Sequence, residues 1–153
     1  EAFDVPGNVG LTQEAKDARV AQFYTPFKDT LAHEVAQRLG PVIVTIHSFT
    51  PIYNGQARDV EIGVLHDSDS RLADAIMDVA DTFDVRRNAP YGPVDGVTHT
   101  LKEHAIKHGH LNVMIEVRND LIADEQSQTA MAQTLTRWIS QAIDAVGAAA
   151  CKG

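Results

Sequence analysis

A single cysteine, Cys151, leaves this chain nothing to join in an internal disulfide. It lies in "AAACKG" at the C-terminus, where chains fray, which is a poor setting for a nucleophile. A reducing, cytoplasmic compartment is the expectation. No apolar run approaches the roughly 18 residues of a membrane-spanning helix. Basic residues are in the minority, 13 Lys and Arg against 21 Asp and Glu, for a formal charge of −8. That balance gives no basic face for nucleic acid. Also missing are a Gly-rich phosphate loop, a GxSxG elbow, a CxxC pair and an HExxH helix. Phosphoryl transfer, serine hydrolysis and thiol redox chemistry therefore lack support. There is no internal repeat, low-complexity run, signal-like segment or internal linker.

What is present is a globular composition, 44% hydrophobic over 153 residues, which suits a single domain with one core. Pro6, Gly7, Asn8 and Gly10 make residues 1–11 irregular. From Thr12, an N-cap, Val20, Phe23, Phe27, Leu31, Val35 and Leu39 recur at three or four residues and predict helix to Leu39. Pro26 should kink or divide it, and Gly40-Pro41 ends it.

"PVIVTIHS" lacks alternation and predicts a strand buried on both faces. "DVEIGVLHD", "DVRRN" and "LNVMIEVRND" predict further strands. "DSDSRLADAIMDVADTF", "THTLKEHAIKH" and "IADEQSQTAMAQTLTRWISQAIDAVGAAA" predict helices, with Leu72, Ile76, Val79, Met131, Leu135, Trp138 and Ile139 facing inward. Helices alternating with strands favour a three-layer α/β/α domain.

Four places could carry chemistry. His47 stands where an apolar strand ends, and ligands of α/β sheets gather at the carboxyl ends of strands. It reads as a zinc ligand or as a hydrogen-bonded strand-end histidine. Glu116 is a carboxylate inside an apolar strand. Burial would raise its pKa towards that of a general acid/base. Arg118 lies on the same face by alternation, so a structural Glu116–Arg118 pair is the other reading. The loop "RRNAPYGP" offers Arg86, Arg87, Asn88 and Tyr91, either as donors for a carboxylate or as an ordinary turn. His104 and His108 are one helical turn apart and could share a metal, whereas His99, His108 and His110 also suit a solvated face.

A strand ending "TIHS" followed some way on by a strand carrying "IEVR" resembles the zinc carboxypeptidase-type fold, with its mostly parallel mixed sheet. Within it the chain is most similar to the N-formylglutamate amidohydrolase family. The segments that carry the likeness are "PGNVGL", "IHSFTPIYNG", "GVLHD", "NAPYG" and "VMIEVRNDLIADE", in that order along nearly the whole chain. The resemblance implies zinc as cofactor, His47 as one metal ligand and Glu116 as the carboxylate that works on water. It implies substrate-side roles for Asn88, Tyr91, His104 and Arg118. The expected substrate is a small N-acyl amino acid, N-formyl-L-glutamate first. Another acyl-amino-acid deacylase, a carboxypeptidase-like peptidase and a non-catalytic binding domain are the alternatives.

In that family the remaining metal ligands and an Asn-Arg pair precede the segment matched by "PGN". Residues 1–153 are therefore expected to be the C-terminal portion of a longer amidohydrolase domain, weak in zinc binding and inactive alone. The sequence is silent on oligomeric state.

Overall fold

The computed structural model describes residues 6–150, with side chains described for residues 7–147. Cys151 lies outside these residues. The chain divides into two compact units, Glu1–Pro41 and Val42–Gly153.

In the first unit, Thr12 caps α1 (Gln13–Arg19) by accepting the Ala15 N–H at 3.2 Å, as its residue type predicts. A π-helical turn, Val20–Tyr24, joins it to α2 (Thr25–Ala36), where Pro26 occupies the first turn. The division expected at Pro26 takes the form of this π-helical turn just before it. Thr25 N–H reaches back to the carbonyl of Val20, and the ring sits where no intrahelical donor is required. Arg19 holds the preceding turn through the Gly7 carbonyl and the Asn8 side chain, both at 2.6 Å.

The second unit is built in chain order from β1 (Ile43–Phe49), the short hairpin β2 (Ile52–Tyr53) and β3 (Gln56–Ala57), and β4 (Ile62–Leu65). There follow α3 (Arg71–Val79), β5 (Val85–Arg87), α4 (His99–His104), β6 (Asn112–Arg118) and α5 (Glu125–Ala150). The main sheet has the order β1-β6-β4-β5. β1 runs parallel to β6, β6 antiparallel to β4, and β4 parallel to β5, so the mixed α/β sheet is as expected.

β6 lies centrally, and Asn112 to Val117 are all buried, which matches its apolar run Val113–Ile115 and Val117, with Asn112 and Glu116 the polar residues buried among them. One face of the sheet presents Ile62, Val64, Val113, Ile115 and Val117 to Leu72 and Ile76 of α3 and to Met131, Leu135 and Trp138 of α5. Trp138 is fully buried and meets the Phe83 ring edge-on at 6.4 Å. The other face carries Leu65, Met114 and Glu116, and α4 packs against β6 with Leu101 and His104 buried.

The expectation that β1 is buried on both faces needs correction. Its only neighbour in the sheet among the described residues is β6, and Ile46, His47 and Ser48 are exposed. An apolar, β-branched run fits an edge as well as a centre, because neither composition nor period encodes strand order.

Candidate active site

His47, Glu116 and Gly63 stand in one row across the sheet. His47 pairs with Glu116 between β1 and β6, and Glu116 with Gly63 between β6 and β4. Residues in register project to the same face, so imidazole and carboxylate share a face. The absent side chain at Gly63 leaves room beside them. That room is taken by backbone: a Cβ on Gly63 would overlap the carbonyl of Ala89. The segment Asn88–Tyr91, with its cis Ala89–Pro90 bond, is thereby seated over β4 next to Glu116.

Glu116 is only 6% exposed, and its Oε2 meets no hydrogen-bond donor among the described residues. Burial raises its pKa above the usual carboxylate value, while the charge of Arg58 pulls the other way. Such a carboxyl is suited to exchanging protons closer to neutrality than an exposed one. His47, by contrast, is open at the edge strand.

The Glu116–Arg118 pair that alternation allowed does not form. Arg118 is the last residue of β6, and its side chain turns to groups beyond the strand end. Its Nε donates to Asp120 at 2.8 Å and its Nη2 lies 3.6 Å from Glu61. Nη1 meets three successive carbonyls, those of Arg58, Asp59 and Val60, at 3.2, 3.0 and 3.4 Å. Arg118 therefore fastens the 58–60 backbone to the end of β6.

Asn88 adopts a positive φ of 47°, and its Oδ1 accepts the His66 N–H at 2.9 Å. Its own N–H donates to the Val64 carbonyl at 3.0 Å, so Asn88 pins the loop to the end of β4. Tyr91 brings its hydroxyl to Arg58 Nη2 at 3.1 Å. His104 is buried on α4. The helix ends there and the chain tightens into a 3₁₀ turn at Ile106–His108, so His104 and His108 share no continuous helical face. His108 is exposed and stacks on His110, ring centroids 5.7 Å apart.

Among the described residues no group of three His, Cys, Asp or Glu side chains comes together to hold a metal. His47 offers one imidazole beside an unpartnered buried carboxylate oxygen, which suits a single ligand position and does not make a closed site.

Arg58 also stands among these groups, bonded to Tyr91 and acting by its charge on Glu116. The sequence signals only the turn that brings it there: Asn54-Gly55 is the dipeptide of a tight hairpin turn, and both adopt positive φ, 51° and 77°. The hairpin returns the chain so that Arg58 N–H donates to the Pro51 carbonyl at 2.8 Å. The Arg58 guanidinium then stands 4.5 Å from the Tyr53 ring centroid, 5.1 Å from Tyr91 and 5.5 Å from Phe49.

A search of the curated proteins finds no match to the chain. The crystal structure of gene product Atu2144 from Agrobacterium tumefaciens is similar, with a TM-score of 0.89 and 50% sequence identity. The likeness covers 94% of this chain and 60% of that one, so this chain spans less than two thirds of its solved relative's length. A family model described as N-formylglutamate amidohydrolase matches residues 4–123. The chain belongs to the N-formylglutamate amidohydrolase family.

Proposed function

We propose that this chain carries part of the active site of a hydrolase that cleaves the amide of an N-acyl amino acid, N-formyl-L-glutamate first among them, with zinc as cofactor. The observation that supports it most directly is the buried Glu116 carboxylate in register with the exposed His47. In this reading Glu116 accepts a proton from the attacking water. It later gives that proton to the amide nitrogen as the C–N bond breaks, leaving formate and the free amino acid. A zinc ion, when bound, supplies Lewis acidity towards water and carbonyl oxygen, and His47 provides one bond to it. Asn88 holds the loop that carries Tyr91 against the substrate, and Arg118 acts through the 58–60 backbone that it fastens. His104 backs β6 from α4, under the same face.

The test uses the full-length protein with N-formyl-, N-acetyl- and N-succinyl-L-glutamate. The formyl compound should be hydrolysed fastest, and Glu116→Gln should lower kcat by about 10²–10⁴-fold. Near-normal turnover by that variant would remove Glu116 from the mechanism. Zinc analysis under non-chelating conditions should find stoichiometric metal that His47→Ala depletes. A metal-free wild-type protein would point to a non-catalytic binding domain.

A further inference from the structure

Arg58 is a cation that the described structure leaves without a carboxylate. Each of Arg38, Arg71, Arg86, Arg87, Arg118 and Arg137 has an acidic side chain within ion-pair distance, whereas Arg58, like Arg19 in the first unit, has none among the described residues; Arg19 spends its donors on the Gly7 carbonyl and the Asn8 side chain. Its position is nevertheless fixed. Three aromatic rings, Phe49, Tyr53 and Tyr91, surround the guanidinium, Nη2 donates to the Tyr91 hydroxyl and Nη1 to the Thr50 carbonyl at 3.3 Å. Its backbone is held at both ends, by the Pro51 carbonyl and by Arg118.

Two of the rings come from elements that also build the site. Phe49 lies on β1, two residues beyond His47 and on the same face, and Tyr91 ends the loop seated over Gly63. Arg58 is also the cation whose field reaches Glu116. A guanidinium held on aromatic faces keeps its remaining N–H donors directed sideways, the arrangement that receives a planar carboxylate.

We propose that Arg58, fixed in its cage of Phe49, Tyr53 and Tyr91, binds a carboxylate of the substrate and sets the preference for anionic N-acyl amino acids. Arg118 is not the anchor, because its donors are spent on Asp120, Glu61 and the 58–60 carbonyls. The proposal rests on the amide-hydrolase reading of the same site and adds to it the recognition of the substrate's charge.

The experiment compares full-length wild type with Arg58→Met and Arg58→Lys on N-formyl-L-glutamate and on its two monoanionic monoamides, N-formyl-L-glutamine, which keeps the α-carboxylate, and the α-carboxamide, which keeps the γ-carboxylate. A charged hydrogen-bonding partner lost from binding should raise KM for the dianionic substrate about 10–100-fold in Arg58→Met, with kcat much less affected. The amide lacking the carboxylate that Arg58 receives should lose far less, so the two rates converge. Arg58→Lys should fall between, since it keeps the charge without the planar fork. An equal KM rise on all three compounds, or no rise, would overturn the proposal. If Arg58→Met does not fold, Arg58→Lys still decides by the same convergence. If wild type hydrolyses none of these amides, the hydrolase reading fails. Calorimetric titration with N-formyl-L-glutamate then tests Arg58 alone: binding to wild type weakened in Arg58→Lys supports it, and equal or absent binding refutes it.

Discussion

The carbonyl of Ala89 lies where a side chain on Gly63 would be, so that one residue's lack of a Cβ seats the loop carrying Tyr91. Gly63 is also the β4 partner of Glu116, which places this contact beside the candidate acid/base group.

Gly63→Ala should therefore be costly although its own backbone needs no special conformation. The methyl group meets backbone, which can move aside only with the whole loop. Overpacking of this kind costs about 1–3 kcal/mol. Urea unfolding should show a lower midpoint with unchanged slope, and a crystal structure should show Tyr91 displaced from Arg58. An unaltered midpoint would mean that the loop gives way without strain.

Removing Arg118 tests the fastening of the 58–60 segment. Arg118→Met strands three carbonyls and leaves Glu61 and Asp120 without their cation, for a loss of about 1–3 kcal/mol. Arg118→Lys should recover only part of it, because one ammonium cannot reach donors' worth of partners on two sides. Full recovery by lysine would show that charge alone matters there.

Glu116 should oppose folding at neutral pH. Its folded pKa is raised by burial, so the unfolded state ionises first as pH rises. The resulting penalty is absent below the unfolded carboxylate value and complete above the raised folded one. In metal-free protein, Glu116→Gln should thus melt higher than wild type at pH 7, with the difference vanishing as pH falls below about 4. A variant that melts lower at pH 7 would show that the carboxylate has stabilising partners.

Asp81 has the opposite sign. Arg137 and then Trp138 hydrogen-bond its carboxylate and lower its pKa to about 2. The contribution is present above the unfolded value and lost as pH falls through the folded one. Asp81→Asn should lower Tm at pH 6, and the gap should close between about pH 4 and pH 2. A gap that persists at pH 2 would assign the loss to something other than ionisation.

Period and punctuation made much of this fold legible. Thr12 as a cap, Leu72 and Ile76 facing inward, Trp138 on the buried stripe of α5 and the strand through Glu116 are all where the residues suggested. Hidden were features that depend on neighbours in space. Strand order left Ile46 to Ser48 at an edge, and the strand's end turned Arg118 away from Glu116. His47 and Glu116 were both conspicuous as polar residues in apolar runs. Arg58 was not, since nothing in "GQARDV" announces that three rings will close round one side chain.

The edge position of β1 has a further consequence for the two halves of the site. Glu116 sits on a strand hydrogen-bonded on both sides, whereas His47 sits on one with a single such neighbour among the described residues. The candidate acid/base group is consequently anchored by the sheet itself. The imidazole's stiffness is set from outside, by whatever lies alongside β1. In the proposed reading, a lateral contact along β1 would thus act on His47 and leave Glu116 untouched.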